Sequence, residues 1–136
     1  MNLVVDSNVL FTFFWKNSLF RKLLSEFSLT LFAPEYALVE LREHRQEIAK
    51  KSGVSSKAFD RIQESLAEQV TFVPLELYQN RLKEALSFAP DPDDVDFFAL
   101  AVELGLPLWS NDARLKSQKK VAVLSTEQVL MLLGSS

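Results

Sequence analysis

The chain has 136 residues, 48% hydrophobic and 24% charged, with a formal net charge of −3 at pH 7. This length and composition predict one globular domain over residues 1–136, able to bury about two thirds of the surface its unfolded form exposes. With no cysteine and one histidine, His44, the chain excludes disulfides, thiol nucleophiles, iron–sulfur clusters and zinc sites built on cysteines or several histidines. Any metal must therefore be held by oxygen, which points to Mg²⁺ or Mn²⁺. No apolar run reaches the ~18 residues of a bilayer span. Met1-Asn2 carries no side-chain positive charge and Asp6 interrupts the apolar start, so a signal peptide is not expected and the expected location is the cytoplasm. The negative net charge does not exclude nucleic acid, because acids gathered at a metal site inflate it.

Leu3 to Val5, followed by the polar Asp6-Ser7-Asn8, reads as a short buried strand entering a turn. The aromatic stretch from Val9 to Trp15 is either core or a partly exposed face for a partner. Ser18 is placed to cap a helix over 19–27, and 29–32 reads as a second strand. Pro34 suits a first helical position, and the helix is expected to run to Lys51, with Lys and Arg near its end, until Ser52-Gly53 stops it. Ser55-Ser56 opens a helix through Gln69; 70–73 is a third strand closed by Pro74, and 75–87 is expected to be helical. Asp91 opens a helix ended by Gly105. Strands over 107–109 and 121–124 flank a helical turn or two over 112–118, and Ser125 to Glu127 caps a last helix over 128–133. Short apolar strands alternating with helices predict an α/β class: a three-layer α/β/α sandwich with a central, mainly parallel sheet of about five strands. In such sheets the site lies at the carboxyl ends of the strands. That places Asp6 and Asp112, each just past a strand, at one edge.

Several acids have bland roles to weigh against chemistry. Asp91-Pro92-Asp93-Asp94 is a good helix start, with Asp91 as cap. Helical phase separates the rest: at about 100° per residue Asp94 shares the arc of Val95, Phe98, Ala101 and Val102, whereas Asp96 falls about 200° away beside Glu103. Asp94 is thus expected to face the sheet, where an unpaired carboxylate needs a cation or donors, and Asp96 to face water. On the helix after Pro34, Glu40 borders the apolar face with His44 one turn on; Glu47 shares that stripe about 10 Å further along. His44 is expected to hydrogen-bond Glu40 or to sit at the helix edge. For Asp6 the alternative is an Asx turn. For Asp112 it is capping of the next turn, a role Asn111 or Ser110 could equally fill.

The segments VVDSNVL, APEYALVELREH and DPDDVDFFALAVELGLPLWSND, in this order and spacing, resemble those of the PIN-domain family of metal-dependent nucleases over nearly the whole chain. The resemblance implies a catalytic and metal-binding set of Asp6, Glu40, Asp94 and Asp112, supported by Asn8, Ser110 and His44. The family usually carries an uncharged residue where this chain has Asp96, and helical phase favours Asp94 within the 93, 94 and 96 group. The implied activity is Mg²⁺- or Mn²⁺-dependent hydrolysis of phosphodiester bonds in single-stranded RNA. Arg42, Arg45, Arg114 and Lys116, with Lys119 and Lys120, are candidates for phosphate contacts, their alternative being a solvated face. Trp109 is expected in the core.

The small size is similar to that of VapC-type toxins, which implies a small antitoxin partner and a homodimer. The aromatic segment from Phe11 to Trp15 is a candidate contact. A stand-alone RNA processing or decay nuclease is the alternative within that family. Two further readings were weighed. A haloacid-dehalogenase-type phosphatase needs a second acid two residues after the first, where this chain has Asn8. A non-catalytic RNA- or protein-binding module would have no physical reason to keep four mutually repelling carboxylates together.

Overall fold

A computed structural model describes residues 1–134. Its five strands, β1 (Asn2–Val5), β2 (Thr30–Pro34), β3 (Val70–Val73), β4 (Leu108–Trp109) and β5 (Val123–Leu124), form one sheet in the order β3-β2-β1-β4-β5. Every neighbouring pair is parallel, Val4 standing between Phe32 and Leu108 in the ladders. Parallel pairing requires each connection to cross back over the sheet, and the helices make those crossings. They are α1 (Ser7–Phe11), α2 (Leu19–Glu26), α3 (Tyr36–Glu43), α4 (Arg45–Ser52), α5 (Ser56–Gln69), α6 (Leu82–Phe88), α7 (Val95–Leu104) and α8 (Thr126–Gly134). The predicted three-layer α/β/α sandwich around a five-stranded sheet is the observed architecture.

The strands are apolar because both faces are covered: Leu3, Val4 and Val5 are fully buried. Helix α7 lies along β1, β2 and β4, with α6 packed outside it. Its run from Phe97 to Ala101 is buried without a break, as suits a helix enclosed between sheet and neighbouring helices. Aromatic rings join other elements: Phe20 of α2 meets Trp109 edge-on at 5.2 Å between centroids, and Phe14 stacks on Phe59 of α5 at 4.4 Å. Trp109 is in the core, as expected. The aromatic segment after β1 divides between the two alternatives: Phe13 and Phe14 are buried, while Phe11 and Trp15 are half-buried.

Sequence boundaries failed where tertiary context overrode local preference. Pro34 ends β2, paired with Val73, instead of opening a helix. The helix expected through Lys51 breaks at His44, which ends α3 and begins α4. The stretch 75–87 begins as two 3₁₀ turns, Leu75–Leu77 and Gln79–Arg81, before α6. Those turns bring buried Tyr78 against α7, where its hydroxyl donates to Asp96 Oδ2 at 2.6 Å, and Arg81 Nε lies 3.6 Å from Glu103 Oε1. The strip expected to face water is thus covered by 78–81, and Asp96 is a partly buried acceptor. Helical phase identified the strip correctly, but could not show that another segment packs on it.

Candidate active site

The sheet changes direction at β1: the chain builds outward through β2 and β3, then returns to place β4 on the other side. A crevice opens at the carboxyl end of such a switch point, and the residues leaving β1 and β4 line it. Asp6 N donates to Trp109 O at 2.9 Å, continuing the ladder one residue past both strands. This contact brings Asp6 and Ser110 together, 104 residues apart in sequence, and Ser110 Oγ donates to Asp6 Oδ2 at 2.7 Å.

Asp6 is 6% exposed and also accepts from Ser7 N at 2.8 Å, so it caps α1 as well as facing the crevice. Ser7 Oγ in turn donates to Glu40 Oε1 at 2.5 Å, tying α1 to α3. Sequence reasoning missed Ser7 and assigned the supporting role to its neighbour Asn8, which is exposed. No local signal separates the two, because which side chain reaches Glu40 depends on how α3 packs against α1.

Asp94 ends the 3₁₀ turn Pro92–Asp94 and precedes α7, whose first turn receives no side-chain cap from it. Capping is done by Asp91, which accepts from Asp93 N at 2.9 Å. Asp94 Oδ2 is buried and has no hydrogen-bond partner within the protein. Asp93 is exposed near Glu40.

The polar trio after β4 divides its work. Ser110 Oγ holds Asp6 and also accepts from Asp112 N at 3.1 Å. Asn111 ties to Thr126 at the start of α8, donating at 2.9 Å to its hydroxyl and accepting from its amide at 2.8 Å. Asp112 caps the 3₁₀ turn Ala113–Ser117 through Arg114 N, and its carboxylate is gripped by the Arg114 guanidinium at 2.8 Å and 3.1 Å.

The electrostatics follow from this placement. Burial raises the pKa of Asp6, with the Asp112 charge adding to it against the hydrogen bonds from Ser110 and Ser7. Burial, with the charges of Asp6 and Asp93, lifts Glu40 to about 7 against the Ser7 hydrogen bond and nearby His44. Asp94 rises to about 6 through burial and the charges of Asp6, Asp91 and Asp112. Asp112 moves the other way, because its hydrogen bonds to Arg114 hold the carboxylate below its usual range. Three acids thus retain protons more readily than in water, chiefly because they are buried and secondarily because other acids lie close by.

Among the described residues, no group of three or more His, Cys, Asp or Glu side chains is arranged to hold a metal ion as it stands. The four-acid cage expected from sequence is not closed: Arg114 takes both oxygens of Asp112, and Ser7 takes Glu40 Oε1. The donor chemistry nonetheless fits a hard divalent cation, being all oxygen, with the buried Asp94 Oδ2 lacking a protein donor.

The other expected contributors fall differently. His44 lies at 3.3 Å from Glu47, not bonded to Glu40, with its ring against Phe11. Arg45 is committed to structure: it pairs with Asp60 at 2.8 Å and lies 4.3 Å over the Phe59 ring. Lys116 donates to Gln128 at 2.6 Å. Lys120 lines a hollow of about 450 Å³ with Pro107 and Val121, at the opposite, N-terminal edge of the sheet. Arg42 is exposed and enters none of the ion pairs among the described residues.

Comparison with known proteins bears on the fold and the family. No curated protein matches the chain. A chain of VapBC2 from Rickettsia felis, solved bound to a DNA fragment from their promoter, superposes with a TM-score of 0.65 at 12% identity, covering 92% of this chain and 98% of that one. PAE2754 from Pyrobaculum aerophilum gives a TM-score of 0.66 at 17% identity, covering 100% of this chain and 91% of that one. At such identities these likenesses establish the shared fold. The family model described as PIN domain matches residues 4–134, and the chain belongs to the PIN-domain family, whose members are generally nucleases.

Proposed function

We propose that this chain is an Mg²⁺- or Mn²⁺-dependent endoribonuclease that hydrolyses phosphodiester bonds of single-stranded RNA, with Asp6, Glu40, Asp94 and Asp112 as its catalytic acids. The observation that carries the reading is the buried Asp94 Oδ2 with no donor in the protein, where burial first and the neighbouring acids second raise its proton affinity. These carboxylates would hold a divalent cation, which would supply the charge neutralisation and Lewis acidity that lower the pKa of an attacking water. Ser110 orients Asp6 and Ser7 orients Glu40, while Asp112 would have to leave Arg114 to join them on a metal ion. Arg114 neutralises Asp112, and exchanging that carboxylate for a substrate phosphate suits its planar fork. Arg42, on the same helix as Glu40, is the further candidate for a phosphate contact.

The test is cleavage of end-labelled single-stranded RNA with Mg²⁺ or Mn²⁺, with and without EDTA, for wild type, Asp6→Asn and Asp94→Asn. Activity should require the metal and fall to the EDTA background in both variants. Cleavage that survives both substitutions overturns the site, and preferential cleavage of DNA overturns the substrate.

Within this reading the chain acts as the toxin of a toxin–antitoxin pair, held inactive by a small partner and forming a homodimer. The fold shared with the chain of VapBC2 supports that role. A short reading frame for a DNA-binding antitoxin beside this gene is the expected finding. Its absence would favour a stand-alone processing nuclease.

A further inference from the structure

A cleft of about 270 Å³ lies beside the acids, between α1 and the α3–α4 junction. Phe11, Trp15 and Ile48 form its apolar wall, and Asn8, His44, Glu47 and Lys51 its polar rim. We infer that this cleft takes one nucleobase of the single-stranded substrate, next to the phosphate being cut; the inference rests on the nuclease reading above.

Four observations carry it. The cleft adjoins the acidic site, because His44 on its rim is close enough to act on the charge of Glu40. His44 lies one helical turn, about 6 Å, beyond Glu40. Its volume is below the roughly 300–1,000 Å³ of pockets for drug-sized ligands, which suits a single planar ring system. Phe11 and Trp15 pack against the core but are only half-buried, so part of each ring lines the cleft, as a stacking surface for a base requires. The Phe11 and His44 rings meet in a tilted contact on the cleft wall, inclined at 51° with centroids 5.7 Å apart.

The wall is also held in place before any ligand arrives. Arg21 Nη2 donates to Trp15 O at 2.6 Å, and Thr12 Oγ1 donates to Val9 O at 2.6 Å, anchoring the backbone on either side of the aromatic turn. At the rim, Lys51 Nζ lies 3.2 Å from Glu47, offsetting the one acid that would repel a phosphate. The Asn8 side chain offers both a donor and an acceptor to a base edge, so it would select among bases that stacking alone accepts.

The experiment uses the full chain carrying Asp94→Asn, so that RNA is bound and not cut, and reads Trp15 fluorescence; Trp109, the other tryptophan, is 1% exposed. The probes are a short oligouridylate and the same oligomer with abasic sites replacing its bases. Binding should quench Trp15 with the uridylate and much less with the abasic oligomer. Phe11→Ala should weaken uridylate binding by about 5- to 150-fold, the range expected for one stacked base, and the loss should vanish on the abasic oligomer. Asn8→Ala, at an exposed position, serves as a second variant and should change the preference among homopolymers without moving the melting temperature. Equal losses on both oligomers, or no loss on either, overturn the cleft assignment and leave it to a protein segment. Wild-type, metal-dependent cleavage of RNA alongside that result would show that the nuclease reading stands while the cleft does not. A wild type that neither cuts nor binds RNA overturns both.

Discussion

Replacing Asp94 by Asn should stabilise the metal-free protein, and the gain should depend on pH. Burial and three neighbouring acids raise its pKa from 3.8 to about 6. The folded state therefore binds this proton more tightly than the unfolded chain, and stability is lost as pH rises through that interval. A shift of that size corresponds to about 3 kcal/mol, reduced to about 1–1.5 kcal/mol because the carboxyl is partly open to water. Asn removes the charge but leaves a buried amide with few partners, so the net gain at pH 8 should be about 1 kcal/mol. For a chain of this length that raises the melting temperature by roughly 3–4 °C. Thermal unfolding followed by circular dichroism in EDTA should show the gain at pH 8 and its loss as pH falls below about 3, where the wild-type carboxyl is protonated in both states. Adding Mn²⁺ at about ten times its dissociation constant should then stabilise the wild type by about 1.4 kcal/mol and leave the variant unchanged. A lower melting temperature for the variant in EDTA, or a change independent of pH, would refute the reasoning, because either would mean that Asp94 acts as a neutral structural cap.

Two further substitutions test the supports of the site. Ser110→Ala removes the donor to Asp6 Oδ2 and the acceptor for Asp112 N; it should cost about 1–2 kcal/mol in urea unfolding and lower nuclease activity about 10- to 100-fold. An unchanged rate would show that Asp6 is oriented by Ser7 alone. Arg114→Ala removes the main cause of the lowered Asp112 pKa, so the Asp112 carboxyl resonance should titrate at higher pH in a carbon-detected NMR titration. A titration that does not move would place the cause elsewhere.

Some features of this protein could be read from composition and period alone. The absence of cysteine and the single histidine restricted metal ligands to oxygen, and apolar strand lengths with intervening helices specified a parallel sheet, because only burial on both faces favours such runs. Helical phase singled out Asp94 on the sheet side of its helix and gathered Asp96 with Glu103, because side-chain direction follows from residue number once a helix is assumed. Caps at Ser18, Ser55 and Asp91 were legible for the same local reason. Long-range pairing was not legible. No local preference says that 78–81 folds over Asp96, that Pro34 completes a ladder with Val73, or that Ser7 and not Asn8 reaches Glu40. The same holds for Arg114, whose grip on Asp112 depends on how the turn after β4 closes. Sequence determined which acids could approach the carboxyl edge of the sheet, because strand ends and helix phase are local properties. Only the tertiary structure decided which were neutralised, since a buried carboxylate's partner is set by which distant segment packs against it.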